Sequence, residues 1–401
     1  MRHRVLLTLC ILTPLLSACA DKGEPEARAT RGEPSPAGEG TVGPRGEPGA
    51  RGEPGAKGDP GPMGPPGNFA RIRVVPPGDT PLIGGENLRN ALQSIVKVSA
   101  EEPWLLFLEP GVYDLGAQGL RMRSFIHIRG SGQTLTTVRS RAPGATLVAE
   151  ERTELSALTV EHVGGGDEAL ALSTATPAFR AREVVALARD GQRRTVAIHS
   201  SAGAGPGGFE RVQAVASSAQ GDTVGFSCEG CAVKLSGSSV LAQGGTRALG
   251  ASVRRGTVEL WDSFATGVGG ASESVGLEAA GSTVGLVRTE VSGSEGGVST
   301  GLRLASSQAT VRDGTLSGSD SGGRQALALE VSRSDGASYT VDVLRSTLIG
   351  ATHSVRSAPG LVVRIASSQF RGGGPVEGNG SVSCNGSFNE QLHSPTAPAC
   401  P

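Results

Sequence analysis

The sequence predicts an all-β chain, a parallel β-helix (solenoid) carried behind a short collagen-like triple helix and an export signal. Three observations predict it. Every third residue from Gly40 to Gly67 is glycine; short strands of period two recur every 22 to 30 residues beyond residue 150; and the turns between those strands are made of Gly, Ser and Thr with little proline.

In chain order, the export signal comes first. Arg2 and Arg4 precede a mostly apolar run from Val5 to Leu16, which is too short for an ordinary membrane span, and Leu16-Ser17-Ala18-Cys19 follows. This tetrad resembles the lipobox of bacterial lipoproteins. The resemblance implies a signal peptide over residues 1–18, lipidation of Cys19, a membrane anchor, and a place in the cell envelope at the outer membrane or cell surface. Each buried methylene of such an anchor contributes ~0.8 kcal/mol. Residues 19–39 hold Gly, Pro, Glu, Arg and Ser without an apolar period, and read as a disordered tether.

Residues 40–69 carry the collagen-like repeat. Gly40, Gly43, Gly46, Gly49, Gly52, Gly55, Gly58, Gly61, Gly64 and Gly67 keep a strict period, with proline at many of the intervening positions. Only glycine fits at the axis of three packed polyproline II strands, whereas an unstructured linker has no reason to keep the spacing. The period therefore predicts self-association as a homotrimer, with a rod about 80 Å long at ~3.1 Å per residue. Arg45-Gly46-Glu47, Arg51-Gly52-Glu53 and Lys57-Gly58-Asp59 each place a base ahead of an acid across a glycine.

The solenoid is predicted over 70–380. Residues 85–98 put Leu88, Ala91, Leu92, Ile95 and Val96 at helical spacing, which predicts an N-terminal capping helix. Trp104 to Leu108 then reads as a buried strand, followed by a Pro110-Gly111 turn and short strands at Leu120–Met122 and Phe125–Ile128. From the helix to Ile126-His127-Ile128-Arg129-Gly130-Ser131-Gly132, this passage resembles the first coil of the pectin lyase-like and pectinesterase-like families. The resemblance implies a right-handed parallel β-helix. Internal repetition tests that independently: Leu155, Phe179, Phe209, Val233, Val258, Val284, Val311, Val341 and Val363 mark successive coils, four of them in Thr-Val pairs. No asparagine occurs between Asn90 and Asn379, so Ser, Thr and Gly must do the work of asparagine turns.

With Cys10 lost in the signal and Cys19 lipidated, four cysteines remain. Cys384 and Cys400 are expected to form a disulfide closing a C-terminal cap over 381–401. Cys228 and Cys231 form a CxxC that reads as structural, a disulfide or free thiols, with a redox pair and half a zinc site as the alternatives. Redox motifs of this type open a helix, but Cys231 leads into the strand at Val233. Zinc would need Cys384 and Cys400, about six coils away.

Chemistry is sparse. The resembled families act on acidic polysaccharides, but neither the pectinesterase and polygalacturonase signatures nor the companion residues of a pectate lyase calcium site are found. Arg71-Ile72-Arg73 is the nearest imitation of the polygalacturonase Arg-Ile-Lys and stands ahead of the first expected strand of the solenoid, Trp104 to Leu108. Glu259 has no assignable partner for a two-carboxylate mechanism, and His162, His199 and His353 occur singly, as surface or turn residues. Trp, Tyr and Phe total thirteen residues, a sparse set for a groove that stacks sugar rings, and Trp261 and Tyr339 are the solenoid aromatics to watch for such a role. A formal net charge of −1 gives no general attraction to nucleic acid. No catalytic residue, metal or cofactor is assigned. The expected role is a lipid-anchored envelope protein displaying a β-helix head on a collagen-like stalk, structural or adhesive, toward a polysaccharide or a surface protein. The alternative is a divergent lyase or hydrolase of acidic polysaccharide.

Overall fold

A computed structural model describes residues 71–164, 166–201, 204–320, 322–395 and 398–401, the side chains of 204–206 excepted. The export signal, Cys19, the tether and the collagen-like glycines lie outside the described residues. From Arg71 onward the chain is a right-handed parallel β-helix wound into three faces, with 31 strands among the described residues. Sheet A starts at β1 (Arg71–Val75) and β2 (Trp104–Leu108), passes through Thr257–Trp261 and Thr283–Val287, and ends at Ser381–Asn385. Sheet B starts at β3 (Gly111–Asp114) and includes Phe264–Val268 and Glu290–Ser294. Sheet C contains Arg247–Arg254, Glu273–Ala280 and Val298–Ala305.

Parallel register turns the period-two pattern into stacked columns. In sheet A, Leu155, Ala181, Phe209, Leu235, Leu260, Leu286, Val311, Val343 and Ile365 lie one above another. All are at most 2% exposed. Phe179, Phe209 and Phe226 add edge-to-face contacts at 6.1 and 5.3 Å between ring centres.

The structure corrects several expectations. The Arg71-Ile72-Arg73 segment does not precede the solenoid but forms its first strand, paired to β2. The cap helix, α1, spans Pro81–Gln93, four residues earlier than its spacing predicted. Thr80 caps it, Pro81 opens it, and Ser94 ends it, leaving Ile95 buried in the following loop and Val96 84% exposed. Val311 does not stack on Val284; Ala309 takes that place. The solenoid also runs on through Ser381–Asn385, past the boundary at 380.

Serine replaces asparagine in the turns by a ladder of its own. Between sheets A and B, a residue in the left-handed region is followed by a buried serine or threonine: Asp262-Ser263, Arg288-Thr289 and Arg345-Ser346 are three such pairs. Ser263 Oγ donates to Trp261 O at 2.7 Å and accepts Ser238 N–H at 3.1 Å. Ser346 Oγ likewise donates to Leu344 O and accepts Gly314 N–H, and its own N–H goes to Ser368 Oγ. Ser282 and Ser307 repeat the arrangement between sheets C and A. Each hydroxyl thus satisfies one carbonyl of its own coil and one amide of the coil before, which a buried turn requires. The left-handed residues point out and pair across coils: Arg288 with Asp262 and Arg345 with Asp313, each bidentate.

Glycines inside the strands set the width of the solenoid. Gly267, Gly293 and Gly318 stack on the inner side of sheet B, and Gly250, Gly276 and Gly301 occupy the facing strands of sheet C. A Cβ at Gly293 would lie 2.3 Å from the carbonyl oxygens of both Ser274 and Thr300, and one at Gly276 would lie 2.5 Å from Ser292 N. Sheets B and C therefore touch backbone to backbone along this line.

Both ends are covered. Gly85 lets α1 lie on the β3 backbone, where a Cβ would meet Asp114 O at 2.0 Å. The Tyr113 hydroxyl, pushed up to about 12 chiefly by burial, donates to Val75 O at 2.7 Å and ties the first coil together. At the other end a Cys384–Cys400 disulfide folds the tail over the last strand, and Cys384 N–H donates to Pro398 O. Cys228 and Cys231 are also joined, across the Glu229-Gly230 turn, and both are 1% exposed. Bonded to one another and buried, these sulfurs brace a turn and offer no thiolate.

Candidate functional site

The outer face of sheet A carries the most promising surface. One of its columns reads Gly208, Lys234, Glu259, Gly285, Thr310, Asp342, Arg364; the next reads Glu210, Ser236, Trp261, Val287, Arg312. The missing side chains of Gly208 and Gly285 open two depressions, separated by the Lys234–Trp261 contact.

The first depression, about 270 Å³, is lined by Arg180, Arg182, Glu210, Lys234 and the backbone around Gly208. The second, about 300 Å³, has Trp261 and Val287 as apolar surface, with Thr257, Thr283, Thr310, Glu259 and Arg312 around them. Trp261 is held rigidly. Its indole N–H donates to Glu259 Oε2 at 3.3 Å, and Lys234 Nζ sits 4.2 Å from its ring centre.

The cations of this face divide into paired and unpaired ones. Arg182 is taken up by Glu210 at 3.0 Å, and Arg364 is taken up by Asp342. Arg180, Lys234 and Arg312 are exposed, and among the described residues none has a carboxylate within ion-pair distance. The depressions thus present three cations with unspent charge, beside an aromatic ring and three threonine hydroxyls. That combination suits a ligand carrying anionic groups, an apolar ring face and hydroxyls.

Glu259, unplaced from sequence alone, now has a register. The next outward acid in its column is Asp342, three coils away, or ~14 Å at ~4.8 Å per coil. Glycosidases need their two carboxyl groups ~5 to 9.5 Å apart, so these two are not such a pair.

Sheet C concentrates acids, but arginines clamp them. Arg247 binds Glu273 at 3.0 Å and Glu278 at 2.8 Å; Arg303 binds Glu273 at 2.9 Å and Glu330 at 2.8 Å; Arg356 binds Glu377 at 2.6 Å. Burial pushes the Glu273 carboxyl up, but Arg303 and Arg247 outweigh it and hold it below the ordinary range. Arg356 lowers Glu377. Carboxylates held ionised in this way are struts, whereas a general acid needs a raised pKa.

The histidines lie in three settings. His162, expected at the surface, is 1% exposed, with Nδ1 3.2 Å from Thr146 Oγ1. His353 is half-buried on sheet C near Glu377. His199 faces the next coil on sheet C: its Nδ1 is 3.3 Å from Ser227 Oγ, to which Arg194 Nη2 donates at 2.9 Å. Burial first, and Arg194 second, push the imidazole down, so it is neutral near pH 7 and within hydrogen-bond distance of the Ser227 hydroxyl. Tyr339 sits outside the sheet A depressions, its hydroxyl donating to Asp335 at 2.7 Å.

No protein-family model matches the chain, and no curated protein matches it in sequence. Among solved structures it is similar to the Azotobacter vinelandii mannuronan C-5 epimerase AlgE6 A-module, at 13% identity over 78% of this chain and 96% of that one, TM-score 0.42. It is similar to the tailspike protein gp49 of the Acinetobacter baumannii bacteriophage Fri1, a capsular polysaccharide depolymerase, at 10% identity over 79% and 62%, TM-score 0.45. The catalytic unit of an α-1,3-glucanase from Streptomyces thermodiastaticus is 12% identical over 81% and 69%, TM-score 0.41. Such identities and TM-scores set these proteins beside the chain without giving it their activities.

Proposed function

We propose that the solenoid is a binding head for an acidic polysaccharide, carried on a lipid-anchored, collagen-like stalk in the cell envelope. The observation that carries this reading is the set of exposed cations without ion pairs, Arg180, Lys234 and Arg312, around the depressions at Gly208 and Gly285. A sugar chain along sheet A lays an apolar ring face against Trp261 and Val287. Its hydroxyls meet Thr257, Thr283 and Thr310, and its acidic groups meet the cations. The Cys19 lipobox and the Gly40–Gly67 period supply the anchor and the stalk.

Two variants test the site without touching the core. Lys234→Ala with Arg312→Ala removes two cations whose exposed contacts are worth up to ~1 kcal/mol each, so affinity should fall about tenfold. Gly285→Val fills the second depression: its Cβ meets only the Glu259 side chain, at 3.4 Å, so the fold should persist while binding is lost. Isothermal titration against an acidic oligosaccharide reads both. Unchanged affinity in both variants would place the ligand elsewhere.

A second reading keeps the ligand class and adds chemistry. It rests on the His199–Ser227–Arg194 contact, in which a neutral imidazole stands within hydrogen-bond distance of a hydroxyl beside a guanidinium, an arrangement suited to ester hydrolysis. Ser227 is only 5% exposed, which favours simple binding over catalysis. Product release from an esterified acidic polysaccharide that disappears in Ser227→Ala would establish the second reading.

A further inference from the structure

We propose that the N-terminal end of the solenoid is an interface through which three copies of this chain pack, centred on the outer side of β1. The inference rests on the stalk described above and assigns it a docking surface in the head. Large exposed apolar side chains concentrate at this end: Ile72 is 59% exposed, Val74 54%, Leu82 56%, Ile83 41% and Val96 84%. The others among the described residues, Leu135, Phe264, Val362 and Leu392, are scattered along the rest of the solenoid. Isolated surface leucines or valines are ordinary, but five within 25 residues of chain are not.

β1 is also an open edge. Among the described strands it pairs with β2 alone, so one row of its backbone amides and carbonyls has no strand partner. Proteins normally shorten, charge or cover such an edge. Ile72 and Val74 lie on the opposite side of the strand from Arg71 and Arg73, whose guanidinium groups pack on the Trp104 ring at 5.6 and 5.8 Å. The cations are therefore turned onto the molecule and the aliphatic pair is turned outward.

Chain length identifies the occupant. The last glycine of the triplet run is Gly67, four residues before Arg71. At ~3.6 Å per residue, four residues span at most ~14 Å. With the proposed stalk wound about one axis up to Gly67, that chain length would start three β1 strands close to one another. Three copies of Ile72 and Val74 are then delivered to one another at a local concentration far above that of free heads. Burial there supplies the apolar stabilisation that nine triplets without hydroxyproline lack.

Sedimentation equilibrium on the lipid-free mature chain, Ala20 to Pro401, tests this, with circular dichroism reporting the triple helix and the fold separately. The wild type should be trimeric. Ile72→Asp with Val74→Asp, at sites already more than half exposed, should keep the solenoid folded but weaken trimerisation about tenfold or more and lower the triple-helix melting temperature. Gly52→Ala should melt the triple helix while leaving residual self-association that the aspartate pair abolishes. An aspartate variant as trimeric and as heat-stable as the wild type would overturn the interface while leaving the stalk intact. A monomeric or dimeric wild type would overturn both, and neither outcome touches polysaccharide binding by sheet A.

Discussion

Gly293→Val is expected to abolish the folded solenoid, or to cost more than about 4 kcal/mol where some folding survives. Overpacking a core commonly costs ~1–3 kcal/mol when side chains can step aside. Here the obstacles are backbone. A Cβ would stand 2.3 Å from the carbonyl oxygens of Ser274 and Thr300, which belong to two successive coils locked in register. Neither can retreat without breaking ladder hydrogen bonds on both sides. Gly285→Ala is the matched control, since its Cβ makes only an ordinary contact with a flexible glutamate. It should change stability by no more than about 0.5 kcal/mol. Thermal melts followed by circular dichroism separate the two; equal midpoints would show that sheets B and C do not meet at glycine.

The second large effect is predicted for Arg303→Met. Arg303 holds Glu273 and Glu330 directly, and Glu278 lies at 3.7 Å, all on the partly buried face of sheet C. Removing a cation from such a cluster leaves carboxylates desolvated without a partner. Arg247 still holds Glu273 and Glu278, and Arg356 lies near Glu330, so the loss should be about 2 kcal/mol at pH 7. The pH dependence gives the result its signature. In the wild type the Glu273 and Glu377 carboxyls are lowered from 4.5, so their stabilisation is complete above that pH and fades as pH falls below it. In Arg303→Met the Glu273 carboxyl loses the larger of the two cationic influences that lower it, so it takes up a proton at higher pH and acidification relieves it. The gap between variant and wild type should therefore close as the pH falls toward and below 4.5. A gap that stays constant over that range would mean the loss comes from packing of the arginine stem.

Much of this architecture was legible because a solenoid repeats. Thr257-Val258 and Thr283-Val284 stack as their spacing implied, and Trp104–Leu108 is a strand at the predicted bounds. The Thr-Val pair at 310–311 misleads because it stands two positions further along its strand than Thr283-Val284 does along its own, which preserves the face but not the column. The early start of α1 follows from Thr80-Pro81, a cap followed by proline at the first turn, which apolar spacing alone does not register. The inner glycines were the least legible. Ser292-Gly293-Ser294 and Ser317-Gly318-Ser319 look like turns, and only the approach of a second sheet explains glycine within a strand.

The site was legible in part. Trp261 stood out as a rare aromatic, whereas Lys234, Gly285 and Arg312 join it only through a register of 25 or 26 residues per coil, in which an error of one residue turns each side chain to the other face. His199 and Ser227 are likewise neighbours only across a coil.

The most direct test of the central claim is co-sedimentation of the lipid-free mature chain with matched acidic and neutral polysaccharides, at low salt and near 1 M salt. Reducing and unsaturated ends are assayed in the same samples. Exposed cations are screened within about 3 Å at 1 M, so the account predicts retention by the acidic polymers at low salt, release at high salt, and no new ends. Equal retention by neutral polymers, or none by acidic polymers at low salt, would contradict a cationic binding face on sheet A.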